Sequence, residues 1–371
     1  MQGASIVGSR AVGCKRAAVP GVNRRGAGRA VRRPEAGATV HTMVTAEERT
    51  LAVPPGCGVG SLAWSGDELV DLVRGGVRYR LDGAVVEARL RYPFRFDAAI
   101  LAPSGRLAVL YERLGTKAIL VRVPEQSVVR ELSRSYYFAN TYEYPITFVT
   151  LPDGREAIAH CPGSYNRLEL EDAATGECLT ASAARTPNDV FHSRFVTSPD
   201  GTRLLSAGWC WHPYGAVCVL PIGDALRDPR LLDAEPLWLG RHVDVDSAVW
   251  LDDESLAIAS CADPDTDVDG HRLFAWHLRG ARAIGDGVRL AAPMGTMHRL
   301  GSHGLLGLHG HPRLRDATTG ALLHEWPHLR SGTQQGAILR GGELPPPCAV
   351  HPREPWFAVA GDCGITVVQL A

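Results

Sequence analysis

Three groups of residues in this chain have the types and spacing for chemistry. The sharpest is Asp265-Thr-Asp267-Val-Asp269-Gly270, in which alternating carboxylates converge on a hard cation and the glycine makes the sharp turn of a calcium loop. Asp263 and the carbonyl of His271 stand where they would add oxygens. The match is partial, because the ninth and twelfth positions are Leu273 and Trp276 rather than oxygen donors. A solvated acidic hairpin fits the same residues. Calcium or another divalent cation at Asp265, Asp267 and Asp269 is therefore an expectation resting on half a motif, with no cofactor as its alternative.

The second group is Arg241-His242-Val-Asp244-Val-Asp246. Alternate residues of an extended segment share a face, so His242, Asp244 and Asp246 would lie together, as in a metal triad or a base with its orienting carboxylate. Asp97 and Ser193 occupy the position of Asp246 when the repeats described below are aligned on their turns, and His192 lies next to it. Asp97, His192, His242 and Asp246 are accordingly the catalytic candidates. His303, His309 and His311 are spaced like metal ligands, but Gly310 marks a hairpin tip that turns them toward solvent or a strand end.

The third group is aromatic. SYYFANTYEYP supplies Tyr136, Tyr137, Phe138, Tyr142 and Tyr144, and GWCWHPYG supplies Trp209, Trp211, His212 and Tyr214. Tyr and Trp bury large areas at low entropic cost, which suits contact with a partner. The competing reading folds the same rings back as a satellite core under long loops. No nucleophile elbow, phosphate loop, HExxH or dinucleotide fingerprint occurs, so the common enzyme classes find no support.

The elements that must position these residues repeat. FVTLPDGREAIAH and FVTSPDGTRLLSA, with AAILAPSGRLAVL and SLAWSGDELVDL, each run from an apolar strand through a polar turn into a second apolar strand. The turn recurs at Ser65, Pro103, Pro152, Pro199, Asp252, Leu300 and Pro352, in steps of 38 to 53 residues, a period that belongs to repeat architectures. Strands of the third repeat are expected at 146–150, 155–160, 166–172 and 177–181, the last two joined by Asp172-Ala-Ala-Thr-Gly176. The sixth repeat reuses that joint as Asp316-Ala-Thr-Thr-Gly320.

Four short antiparallel strands at this period resemble the WD40 class of β-propeller. The resemblance covers residues 48–371 with degraded motifs: Glu171-Asp172 and Arg315-Asp316 stand where that family has its WD pair, and the GlyHis pair is out of register. It implies an all-β, seven-bladed ring with the repeated turns on the bottom face, and with the loops joining strands two and three and those joining successive blades on top. The last repeat offers three strands, and Arg49–Val53 is placed to fill its outer position, pairing the two termini and removing an open edge.

Charge and composition narrow the partners. Residues 1–42 hold eight basic side chains against Glu35 alone, a charge of +7, which leaves −8 on the remainder. An acidic body argues against nucleic acid. The basic, Gly- and Ala-rich start lacks the apolar centre of a secretory signal. It reads as a disordered extension of residues 1–47 or as an over-long start, with Met43 the true one. Lys15 and Lys117 are the only lysines among 39 basic residues, as codon usage in a GC-rich bacterial genome produces. Nine cysteines without a CxxC pair favour a reducing cytoplasm. No segment has the roughly 18 apolar residues needed to span a bilayer. The sequence therefore points to a soluble, cytoplasmic, monomeric propeller that binds a protein or peptide through top-face aromatic and acidic loops. The alternative is a lyase or hydrolase with a divalent cation at the channel mouth.

Overall fold

A computed structural model describes residues 44–88, 90–211, 214–239, 243–261, 270–302, 304–339 and 342–371. Each of the seven polar turns joins the first two strands of an antiparallel sheet. The turns at Pro103, Pro152 and Pro199 close with a hydrogen bond from a glycine N–H to the carbonyl three residues back, from Gly105 to Ala102, Gly154 to Leu151 and Gly201 to Ser198. Those glycines sit at φ of 71°, 85° and 72°, a region that costs a side chain energy and glycine nothing.

The strands are rich in uninterrupted apolar residues because both of their faces are buried. In Leu107–Tyr111, Val109 and Tyr111 pack toward the third sheet while Ala108 and Leu110 pack toward the first. The same division holds elsewhere, so seven apolar layers separate successive sheets, from that between sheets one and two to that between sheets seven and one. A core divided this way closes on itself. The fold is a seven-bladed β-propeller, with the first strand of each blade innermost.

Closure comes from the two ends of the described chain. Ala46–Leu51 pairs antiparallel with Gly364–Leu370, in register from Ala46 opposite Leu370 to Leu51 opposite Ile365. This strand is outermost in blade seven, as the sequence indicates, but begins and ends earlier than Arg49–Val53. Pro54 follows too closely for the strand to reach further, since proline cannot extend the ladder. The chain divides between His41 and Thr42 into two units, and every described residue belongs to the second.

Two blades depart from four regular strands. Blade three has three, Ile146–Thr150, Glu156–His160 and Glu169–Asp172. The expected fourth over 177–181 survives only as a bridge between Glu171 and Cys178. Side chains take over the missing ladder: the Leu170 N–H donates to Thr180 Oγ1 at 3.0 Å, and buried Arg185 donates to the Leu168 carbonyl at 3.1 Å. Arg185 also donates to Asp233 at 2.7 Å and lies 3.4 Å from Glu169, so its charge is paired where it is desolvated. In blade four the inner strand is split into Val190–Phe191 and Phe195–Thr197, both paired with Arg203–Cys210. Residues 192–194 bulge between them, with Arg194 at φ 47°. A short helix, Ile222–Ala225, and a 3-10 turn, Pro229–Asp233, occupy the outer place of that blade.

The Asp-to-Gly joints form as read. Asp172 accepts from the N–H groups of Ala174 and Thr175, and Asp316 from those of Thr318 and Thr319. Among the described residues no helix is long and apolar enough to cross a membrane.

Candidate functional site

Two of the polar residues at or beside the position aligned by the repeat, Asp97 and His192, tie their blade-to-blade loops to the corners of blades two and four. Asp97 accepts from the Arg113 N–H at 2.7 Å, and Arg113 returns a bond to the Asp97 carbonyl at 3.1 Å. His192 is buried and shares a 3.1 Å hydrogen bond with Ser206 through Nδ1. Burial, with Arg185 adding repulsion, lowers its pKa to about 4, so its ring is neutral near pH 7. Asp244 accepts from the Gly215 N–H at 2.7 Å. No hydrogen bond or ion pair joins Asp97, His192 and Asp246 to one another among the described residues. Among them, too, no group of three or more His, Cys, Asp or Glu side chains is arranged to hold a metal.

Asp246 is the exception among these joints, because it faces a loop from another part of the ring. The connection between blades six and seven is pinned at its base, where the Thr333 N–H donates to the Glu343 carbonyl at 2.8 Å. Its tip reaches over the channel. Gln335 Nε2 donates to Asp246, the Gln335 carbonyl accepts from Arg194 at 3.4 Å, and Leu339 donates to the Thr141 carbonyl at 2.8 Å. Burial, with Asp244 adding repulsion and Gln335 opposing it, lifts the Asp246 carboxyl to about 7. His271 Nδ1 stands 3.8 Å away. Arg194, whose Nε and Nη2 are buried without a partner in the described structure, and His298, lowered by burial to about 4, also belong to this interior. Nothing in the sequence marked Gln335 or Arg194, since neither carries a motif.

The aromatic loops converge on the top of blades three and four. Trp209 and Phe191 stack with centroids 3.9 Å apart, Tyr165 follows 4.2 Å beyond Phe191, and Tyr137 lies 4.9 Å beyond Tyr165. Phe138 sits edge-on to Tyr137 at 4.9 Å and to Trp211 at 5.1 Å. The column runs from core to solvent. Two expected contact residues need correction: Tyr142 and Trp209 are 1% and 3% exposed, because Phe191 and Ala337 pack between and over them. They support the surface and do not form it. Tyr136, at 83%, with Tyr137, Phe138 and Tyr214 at about 40%, presents the outer surface, and Trp211 is half-buried. Tyr165 was missed because it stands alone in its segment, and Phe191 because it falls in a strand pattern that reads as ordinary core.

Arg134 fixes the loop that carries most of these rings. Its guanidinium donates to the carbonyls of Ala139, Gly115, Tyr142, Arg113 and Glu143 at 2.7 to 3.3 Å. Tyr142 and Tyr144 lie 4.6 and 4.8 Å from it, as cation–π partners. Burial lowers its pKa, but arginine stays charged. Five carbonyls converging on one cation hold the loop in one shape.

His212, His242, His303, Asp265, Asp267 and Asp269 lie outside the described residues. Of the other histidines singled out, His311 Nε2 stands 3.2 Å from Glu325, and the His309 carbonyl accepts from Arg313. The described residues thus define a β-propeller with an aromatic top surface and a covered channel mouth. No protein-family model matches this chain, and none of the curated proteins matches it in sequence.

Proposed function

We propose that this chain is a WD40-like binding scaffold that takes a protein or peptide partner on the aromatic surface of blades three and four. The observation that carries this reading is the ring column. Exposed Tyr137 and Phe138 stand on buried Phe191, which stacks on Trp209, and Tyr136 is exposed beside them, which gives a rigid apolar surface with phenol groups at its edge. The exposed carboxylate of Asp189, which accepts from the Tyr165 hydroxyl, adds an acidic border that favours a partner with basic residues. Work in the cytoplasm is supported by the eight described cysteines, all free thiols. A calcium ion at Asp265, Asp267 and Asp269 would act as a staple within their loop.

The test is capture of partners from the native host by the wild-type chain and by Tyr136→Ser/Phe138→Ser. Loss of a specific partner in the variant, with the melting temperature unchanged, is the expected result. A partner retained at full yield sinks the reading.

A second reading draws on Asp246. A carboxyl lifted to about 7 is poised for general acid–base work, as a lyase or hydrolase with a divalent cation at the channel mouth needs. Asp97, His192 and His242 would accompany it in that reading. Metal analysis of the purified chain decides: a stoichiometric ion whose removal abolishes turnover supports the enzyme, and its absence favours the scaffold.

A further inference from the structure

Between the loops that lead into blades one and two lies a cleft of about 810 Å³, within the roughly 300–1,000 Å³ of small-molecule sites. None of the aromatic residues of blades three and four lines it. One wall is the glycine-rich run Pro54–Gly60, the other the segment Leu90–Asp97, and Leu344 and Pro347 close one side. Its charge runs against the rest of the molecule. Arg74, Arg91, Arg95 and Arg113 line it against only Glu87 and Asp97, whereas residues outside the first 42 carry −8 in total.

Arg74 and Arg113 are held by neighbouring carbonyls, Gly58 for the first and Asp97 and Pro345 for the second, but the other two arginines are not spent on neighbours. Among the described residues Arg91 and Arg95 make no hydrogen bond or ion pair, and both are exposed. Arg113 Nε is buried without an acceptor. Rings alternate with these cations along Arg91-Tyr92-Pro93-Phe94-Arg95-Phe96. Phe96 is buried at the base, Tyr92 is held by a 3.0 Å bond to Gln126, and Phe94, 6.0 Å from Phe96, is 54% exposed. A flat apolar face is therefore presented beside unpaired guanidinium groups.

Both walls are fixed before any ligand arrives. The buried carboxylate of Asp71 accepts from the N–H groups of Gly60, Ser61 and Arg74 at 2.7 to 3.0 Å, joining the glycine-rich wall to the corner of blade one. Gly75, at φ 81°, lets that corner touch the opposite wall, since a Cβ there would stand 2.1 Å from the Leu90 carbonyl oxygen. A preformed cleft spends little of its binding energy on ordering itself.

We propose that this cleft binds a small organic anion: a planar ring that stacks on Phe94 and carries a phosphate or carboxylate gripped by Arg91 and Arg95. Arginine forks match either group in two-point hydrogen bonding. The ring requirement comes from Phe94, and the anion requirement from the net positive lining. This site is independent of partner binding on blades three and four.

Calorimetric titration of the full chain tests it with four probes: adenosine monophosphate, 2-naphthoate, adenosine and inorganic phosphate. At least one of the two ring-bearing anions is expected to bind at least about tenfold more tightly than adenosine or phosphate alone, and which of the two does so identifies the anionic group. Arg91→Ala/Arg95→Ala should weaken it by about tenfold or more and Phe94→Ala by about threefold or more. All three side chains are exposed, so the fold is expected to survive, and the melting curve checks this. Absence of binding by both ring-bearing anions at millimolar concentration overturns the proposal. So does binding that the arginine variant leaves unchanged, or adenosine or phosphate binding as tightly as the better of the two ring-bearing anions.

Discussion

Gln335 donates its side-chain amide to both carboxylate oxygens of Asp246, at 3.1 and 3.4 Å, from the loop that joins blades six and seven. The pair lies at the position that the aligned repeats share with Asp97 and Ser193, and Asp246 is buried there. A carboxylate held there without a cation partner in hydrogen-bond contact is costly to ionise. That cost has a sign that experiment reads directly.

Burial raises the Asp246 carboxyl from 3.8 to about 7, so between those values the folded chain holds a proton that the unfolded chain releases. Stability from this group therefore falls as pH rises from about 4 to about 7 and is flat above. The buried imidazoles of His160, His192 and His298, lowered from 6.5 to about 3, 4 and 4, act in the opposite sense. Their contribution is present above pH 6.5 and is lost as pH falls toward 4. Comparing Asp246→Asn with the wild type cancels the histidines. Urea unfolding is expected to show the variant gaining on the wild type by about 3 to 4 kcal/mol between pH 4 and pH 8. Parallel stability curves for the two proteins would falsify the assignment.

Arg134→Met should cost about 2 to 4 kcal/mol in urea unfolding, because the substitution leaves buried carbonyls without their donor. Arg134→Lys should recover only part of the loss, since an ammonium has three donors and no planar fork. Hydrogen exchange across 134–145 provides a second reading. The loop is expected to lose protection in Arg134→Met more than blades five to seven do.

Trp209→Ala should lower stability by about 3 to 5 kcal/mol, the range for removing a buried aromatic side chain. Tyr136→Ala, at a ring that is 83% exposed, should change it by less than about 0.5 kcal/mol. The contrast separates the buried base of the column from the exposed surface beside its outer end. Equal losses at both positions would show that Tyr136 is also packed in solution.

A chain beginning at Met43 should melt as the full chain does, whereas one beginning at Pro54 should melt at a clearly lower temperature. The second lacks Ala46–Leu51, leaving the outer edge of Gly364–Leu370 and the apolar layer around Leu51 uncovered. Circular dichroism melts of the two chains settle the point.

The fold was legible because its signal is periodic. Pro103, Pro152 and Pro199 with their glycines repeat a turn whose geometry is local, and the two-sided burial of strands such as Leu107–Tyr111 writes itself as an apolar run. Closure could be read from the three-strand last repeat and the apolar stretch before Pro54, although the strand's bounds, three residues off at its start and two at its end, were beyond local reasoning. Blade three's fourth strand was misread because Glu177–Leu179 has strand composition, while its replacement depends on Arg185 and Asp233, the second more than 50 residues away in sequence. The site was legible only in part. Clustered rings such as Tyr136 and Tyr137 announced themselves, but burial separates Trp209 from Trp211 two residues on, and alternation in a strand cannot say which face another loop will cover. Gln335 and Arg194 meet only because the ring has already closed.

The loop between blades six and seven is bridged at Ile338 to Tyr142, on the connection between blades two and three. In a seven-membered ring these connections face each other across the axis, so the loop acts as a spoke. Peeling away the N-terminal strand would not by itself let the ring spring open, because the far rim remains tethered through the hub. Mechanical or thermal opening must break the seam and the spoke together, which gives a modular chain of repeats the all-or-none behaviour of a single solid body.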